Sequence, residues 1–150
     1  MEDLLISLQN RIKETLPELR YIDEDFGQLE TLDDTYPITF PCVLIGTPST
    51  DWSDIGLCIQ KGAANISIRL AIDCYDDTHY GSGTEDKIKE RLLKNKTLYK
   101  SLQGFRTGKY MSALSRIKST DYTFAHGIKV YEMIFKFSFH DDSAAIRKTV

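Results

Sequence analysis

No apolar run in this 150-residue chain approaches the roughly 18 residues that a membrane-crossing helix needs, so no membrane partner is expected. Basic charge is not in excess either. Lys and Arg number 19 against 22 Asp and Glu, which argues against duplex nucleic acid as a main partner, because phosphate contacts demand a cationic surface. The three cysteines, Cys42, Cys58 and Cys74, are odd in number and contain no CxxC pair. That speaks against a disulfide framework and for reduced thiols in a cytoplasm. The start, "MEDLLISLQNRIKETLPEL", is acidic and amphipathic, unlike a secretory signal. No Ser-, Gly- or Pro-rich linker and no internal repeat divides the sequence, so residues 1–150 read as a single domain, with 142–150 expected to form a flexible tail.

Catalytic signatures are also missing. "GSGTED" lacks the Lys-Ser/Thr pair and the glycine spacing of a phosphate loop, and "IGTPST" is not a nucleophile elbow. The one chemically crowded run is "AIDCYDDTHYGSGTED", residues 71–86. In a strand, Asp73 and Cys74 project to opposite faces, so they do not converge on one ion. Asp76 and Asp77 suit a hard cation, but no remote cluster supplies the remaining ligands. Cys74 with His79 is not a zinc spacing. The run reads as a strand entering a helix through a solvated loop, and no metal, cofactor or catalytic residue is assigned. The minority alternatives are a metal-dependent hydrolase built on Asp73, Asp76, Asp77 and His79, and a small cytoplasmic binding module.

What is present is periodicity. Leu5, Leu8, Ile12 and Leu16 recur at helical spacing and Pro17 ends the segment. A short strand is expected near 19–22, then an acidic irregular excursion over 23–36, then a buried strand over 42–47. "TDWSD" reads as a polar turn holding Trp52, which either folds back on the core or stands out as an interface anchor. From Asn65 to Tyr75, apolar residues alternate with others, the strongest strand signal in the chain. Ser82 and Glu85 stand in capping-box relation before a helix reaching about Leu102, with Ile88, Leu92, Tyr99 and Leu102 on one side. Glu85–Lys89 and Glu90–Lys94 have the spacing of favourable pairs on it. Two long strands follow, about 110–124 and 128–139. In the second, Tyr131, Met133, Phe135, Phe137 and Phe139 form an apolar face. The opposite face begins with Ile128 and Val130, too apolar to be simply wet, so another layer or subunit is expected to cover it. Cys42 and Cys58 sit in apolar contexts and read as core thiols. The fold class is α+β: a mostly antiparallel sheet with two helices packed on one face.

Charge is distributed unevenly. Residues 1–80 carry fifteen acidic side chains against five basic, and residues 81–150 seven against fourteen. Such a split serves a contact between unlike surfaces of successive copies. The candidate interface residues are Asp51, Trp52 and Asp54, the second-helix lysines Lys87, Lys94 and Lys96, and Ile128 and Val130.

The order of parts resembles the tail-completion proteins of long-tailed phages and prophages, the group that includes the lambda-type tail terminators. The likeness runs from "LLISLQNRIKETLPEL" through "YPITFPCVLIG", "DWSDIG", "ISIRLAIDCYDD" and "THYGSGTED" to "LYKSLQG" and "VYEMIFKFSFHD". The long acidic stretch 23–36 and the charged second helix depart from it. The resemblance implies a non-enzymatic protein that forms a ring, usually a hexamer. It would cap the tail tube, end its polymerisation and offer a surface to the head-completion protein. Its partners would be itself, the tube protein and the neck protein; its place would be the host bacterial cytoplasm during assembly and the virion tail afterwards.

Overall fold

The computed structural model describes residues 2–31 and 38–146. The chain begins with α1 (Leu4–Thr15), whose Leu4, Leu8 and Ile12 recur every four residues and are buried together with Leu16. Complete burial of side chains such as Leu8 and Ile12 stabilises by roughly 1.5–3 kcal/mol each. The stripe is carried by Leu4, with Leu5 packed only partly at its margin. Beyond Pro17, Lys13 Nζ donates to the carbonyls of Pro17 (2.8 Å) and Leu19 (2.9 Å), placing a cation at the negative end of the helix.

One six-stranded sheet follows, built from β1 (Tyr21–Glu24), β2 (Cys42–Ile45), β3 (Ser49–Gly56), β4 (Ile59–Asp73), β5 (Ser115–Phe124) and β6 (Ile128–Asp141). Its order is β1-β2-β4-β6-β5, with β3 lying beside the first half of β4. Among the described residues only the β1–β2 pair is parallel. The longest ladder joins β4 and β6, from Gln60↔Asp141 to Asp73↔Ile128. The second helix, α2 (Asp86–Leu102), lies between β4 and β5 in the chain. Both helices cover one face, where Leu8, Ile12, Leu98 and Leu102 meet Ile66, Ile68, Leu70, Met133 and Phe135. The α+β class with two helices on one face of a mostly antiparallel sheet is therefore the observed architecture, and the expected alternation of β6 holds residue by residue.

The other face carries a second, smaller core of Leu29, Cys42, Leu44, Ala71, Ile128 and Val130, flanked by Ile38, Phe40 and Tyr122. Its cover comes from the chain itself, and Ile128 and Val130 are left only 8% and 1% exposed. The acidic segment after β1 crosses this face as a strap. Leu29 plugs it, and Gln28, also buried, donates to the Glu24 carbonyl and accepts from the Phe26 N–H. Residues 32–36 of the expected excursion, and residue 37 after it, lie outside the described residues.

Several sequence expectations are corrected. The first strand starts at Tyr21, two residues late, although Leu19 is buried as core. The strand expected from 110 starts at Ser115; before it, Met111 makes only an isolated bridge to Phe139. "TDWSD" is not a turn but the middle of β3, because the hairpin closes later, at Leu57 and Cys58. Both have positive φ (55° and 61°), the sign pattern of a two-residue type I′ connection. Cys58 is thus exposed at a tip rather than a core thiol, whereas Cys42 is buried. The capping box does not form. Ser82 Oγ does reach Glu85 (3.1 Å), but the helix begins only at Asp86, with Glu85 already in helical conformation at the cap position. Residues 142–146 of the expected tail are placed, with the Ile146 N–H donating to the Leu57 carbonyl at 2.9 Å; residues 147–150 lie outside the described set.

Candidate functional site

Three surface features arise from this arrangement. The first is the open margin of the sheet, where β3 and β5 are the longer edge strands beside the four-residue β1, which among the described residues pairs only with β2. Among the described residues, β3 pairs only with β4 and β5 pairs only with β6, so each presents an outer row of backbone donors and acceptors. Asp51 and Asp54 are exposed on β3, as expected of surface residues. Trp52 is 46% exposed and its ring meets Phe139 edge-on, with centroids 5.2 Å apart. It therefore folds partly onto the core and still offers about half of its surface. The approach is possible because Gly62 lies between the two rings. A Cβ there would stand 2.8 Å from Phe139 and 2.9 Å from Thr50.

The second feature is the N-terminal half of α2. Leu98, Ser101 and Leu102 anchor the C-terminal half in the core, but Ile88, Leu92 and Leu93 are exposed. The apolar side read from the sequence thus bends away from the core at the start of the helix. Lys87 pairs with Glu90 (3.3 Å), and Lys94 reaches back to Glu18 at the end of the first-helix segment (2.9 Å). That pair, chiefly the Lys94 hydrogen bond, holds the Glu18 carboxyl below its ordinary value. Lys94 is consequently committed within the chain; Lys96 remains an exposed cation.

Between the end of β4 and α2 opens the third feature, a cleft of about 450 Å³. Asp73, Cys74, Asp76, Glu90, Arg91 and Lys94 contribute to its walls. The mixture of charges defines no single ligand class. Asp77 and His79 pair with one another instead, Nδ1 to Oδ1 at 2.5 Å, out on the exposed loop. Thr84 Oγ1 donates to the Asp77 carbonyl and closes that loop on itself. Among the described residues, no three His, Cys, Asp or Glu side chains come together as a metal-ligand set.

Charge chemistry is concentrated elsewhere, on the strap face. Arg69 of β4 is buried. Its Nη1 donates to Glu30 Oε1 (2.6 Å) and to the Tyr122 hydroxyl (3.2 Å), and its Nη2 donates to Asp25 Oδ1 (2.8 Å). Burial alone would lower the guanidinium pKa, but Glu30, Tyr122 and Asp25 outweigh it and raise it. The Arg69 hydrogen bond holds the Glu30 carboxyl below its ordinary range against the opposing effect of burial. Burial raises the Tyr122 hydroxyl, partly offset by Arg69. The carboxylate partners of Arg69 come from the acidic excursion 39 and 44 residues earlier. The network joins strap to sheet.

The interface candidates are therefore only partly assembled on one surface. Asp51, Trp52 and Asp54 share one exposed edge strand. Lys87, Lys94 and Lys96 lie on α2. Ile128 and Val130 are enclosed beneath the strap face and offer no exposed patch. Ile88 and Leu92, expected on the apolar side of the second helix, are exposed, as are Leu93 and, on β5, Ile117, which the sequence did not single out.

No helix is long and apolar enough to cross a membrane among the described residues. No family model matches the chain, and no curated protein matches it. Among solved structures, the fold is similar to a chain in a structure described as the virion of a native gene transfer agent (GTA) particle. The TM-score is 0.61 at 8% sequence identity, over 92% of this chain and 95% of that one. At that identity the likeness is one of fold.

Proposed function

We propose that this chain is a structural component of a phage-type particle, and more narrowly a tail-completion protein of the tail-terminator kind. Copies of it form a ring, six in number, that caps the tail tube, stops its growth and presents a surface to the head-completion protein. It performs no catalysis and needs no cofactor. It assembles in the host bacterial cytoplasm and remains in the virion tail.

The observation that carries this reading is the shared fold, over nearly the full length of both chains, with a component of a gene transfer agent virion. Fold alone does not fix function, so the surface adds the second support. The long edge strands β3 and β5 are open, and Trp52, Ile55, Leu92 and Leu93 expose large apolar groups available to a partner.

Light scattering of the purified protein, with negative-stain imaging, tests the reading. Closed rings are expected, and added tail tubes should acquire a cap at one end and stop elongating. A protein that stays monomeric at high concentration, and leaves tube growth unaltered, would overturn it.

A further inference from the structure

We infer that successive copies join by sheet extension, the outer edge of β3 in one copy pairing with the outer edge of β5 in the next. The inference rests on the ring reading above and names the contact that closes it.

A head-to-tail contact requires two different surfaces on one chain that fit each other. The sheet supplies them. β3 and β5, longer than the four-residue edge strand β1, are open on opposite sides of it, and within the chain they run antiparallel, as the chain of antiparallel pairs β3–β4–β6–β5 dictates. A neighbour placed so as to continue the sheet therefore brings β3 against β5 in antiparallel register, the commoner ladder. The edges are also offset along the strands. β3 lies against the part of β4 that faces the C-terminal end of β6, while β5 lies along Ile128–Lys136. Joining copies edge to edge thus steps each one along the strand direction, the stagger that closure of a sheet requires.

Charge fits the same contact on one face of the sheet. Asp51 pairs with Ala63, which pairs with Ser138, and Lys118 pairs with Ile134. Ser138 and Ile134 lie four residues apart on β6, so Asp51 and Lys118 project from the same face. By the same registers Asp54 and Arg116 project from the other face. On the Asp51–Lys118 face the β3 edge is acidic and the β5 edge basic; on the other, Arg116 is stacked on the Tyr99 ring and shares β5 with Asp121, so that face carries no net preference. Both edges also carry exposed apolar side chains, Trp52 and Ile55 on β3 and Ile117 at the β5 bulge. Charges and a bulge are also how a solitary protein protects its sheet edges, and the test separates the two.

Lys118→Glu and Asp51→Lys, singly and together, are compared with wild type by light scattering at low salt. Each single variant should associate about tenfold or more weakly, because like charges then face one another, and the double variant should recover rings. Both positions are exposed, so thermal melts should be unchanged, which separates lost assembly from lost folding. In a Cys58→Ser, Cys74→Ser background, Asp51→Cys with Lys118→Cys should give an oxidised ladder of covalent oligomers that neither single cysteine gives. Rings that persist in both charge variants and give no ladder would overturn the edge contact and leave the ring reading standing. A wild type that never forms rings, with no ladder from the cysteine pair, would remove both.

Discussion

Arg69 Nη2 on β4 stands 2.7 Å from Asp25 Oδ2 on the strap, and the pair is largely closed off from solvent. With Glu30 and Tyr122 it fastens an otherwise irregular acidic segment across the second face of the sheet. Leu29 then completes a small core over Leu44 and Val130. The strap is thus held by a charge network and a plug of apolar area rather than by a strand ladder.

Removing the arginine should release the strap. Breaking a buried pair leaves uncompensated charge and costs about 3–5 kcal/mol; because Glu30 is half exposed, the low end, about 3 kcal/mol, is expected for Arg69→Ala. Arg69→Lys should recover only part, since an ammonium cannot serve both carboxylates with a planar fork. Urea unfolding measures the effect, and a change within about 0.5 kcal/mol, the range of ordinary surface substitutions, would contradict this role.

Acid should act through the same contact. The Glu30 carboxyl is held below its ordinary value of 4.5 chiefly by its hydrogen bond from Arg69. A depressed folded-state pKa contributes stability that is complete above the unfolded value and is lost as pH falls through the folded one. The urea midpoint should therefore decline below about pH 4.5, and more gently in Glu30→Gln than in wild type. Glu18, held down by Lys94, adds to the same acid limb. Identical acid limbs in wild type and Glu30→Gln would rule out a contribution from Glu30.

Gly62 is where Trp52 and Phe139 close over β4. A methyl group there would meet both Phe139 and Thr50 closer than van der Waals contact allows. Gly62→Ala should destabilise by about 1–3 kcal/mol, the usual cost of overpacking. It should also shift the fluorescence of Trp52, the single tryptophan, to the red as the ring lifts off Phe139. An unshifted spectrum with unchanged stability would mean that the two rings do not depend on this glycine.

The thiols should label in a set order. Cys58 is exposed at the β3–β4 hairpin tip, whereas Cys42 is buried with its thiol pushed up to about 12 by desolvation. Iodoacetamide followed by mass spectrometry should modify Cys58 in the native protein and Cys42 only on unfolding, because the thiolate is the reactive form. Native labelling of Cys42 at the rate of Cys58 would show that the second core opens freely.

Strict periodicity made much of this fold legible from residues alone. The alternation from Asn65 to Cys74 and from Ile128 to Phe139 fixed the two central strands and their inner faces, since a one-residue slip would bury every polar side chain. The helical spacing of Leu8, Ile12 and Leu16 likewise fixed the first helix and its buried side. Local pattern carries such features because both periods are properties of the backbone itself.

Long-range structure decided the rest. The turn at Leu57–Cys58 has none of the Asn-Gly chemistry that usually marks positive φ at both positions, so β3 was hidden inside what looked like a polar turn. Ile128 and Val130 were expected to be covered by another layer or subunit, and the sequence did not say which, because their cover, Leu29 and its strap, lies about a hundred residues away and has no periodicity of its own. Arg69 could not be matched to Asp25 and Glu30, nor Lys94 to Glu18, because the pairing of distant charges depends on which segments the sheet and helices bring together. The exposure of Leu92 and Leu93 was equally invisible. An apolar side chain on a helix states what it would bury against, and only the packed molecule determines whether its own chain reaches that far.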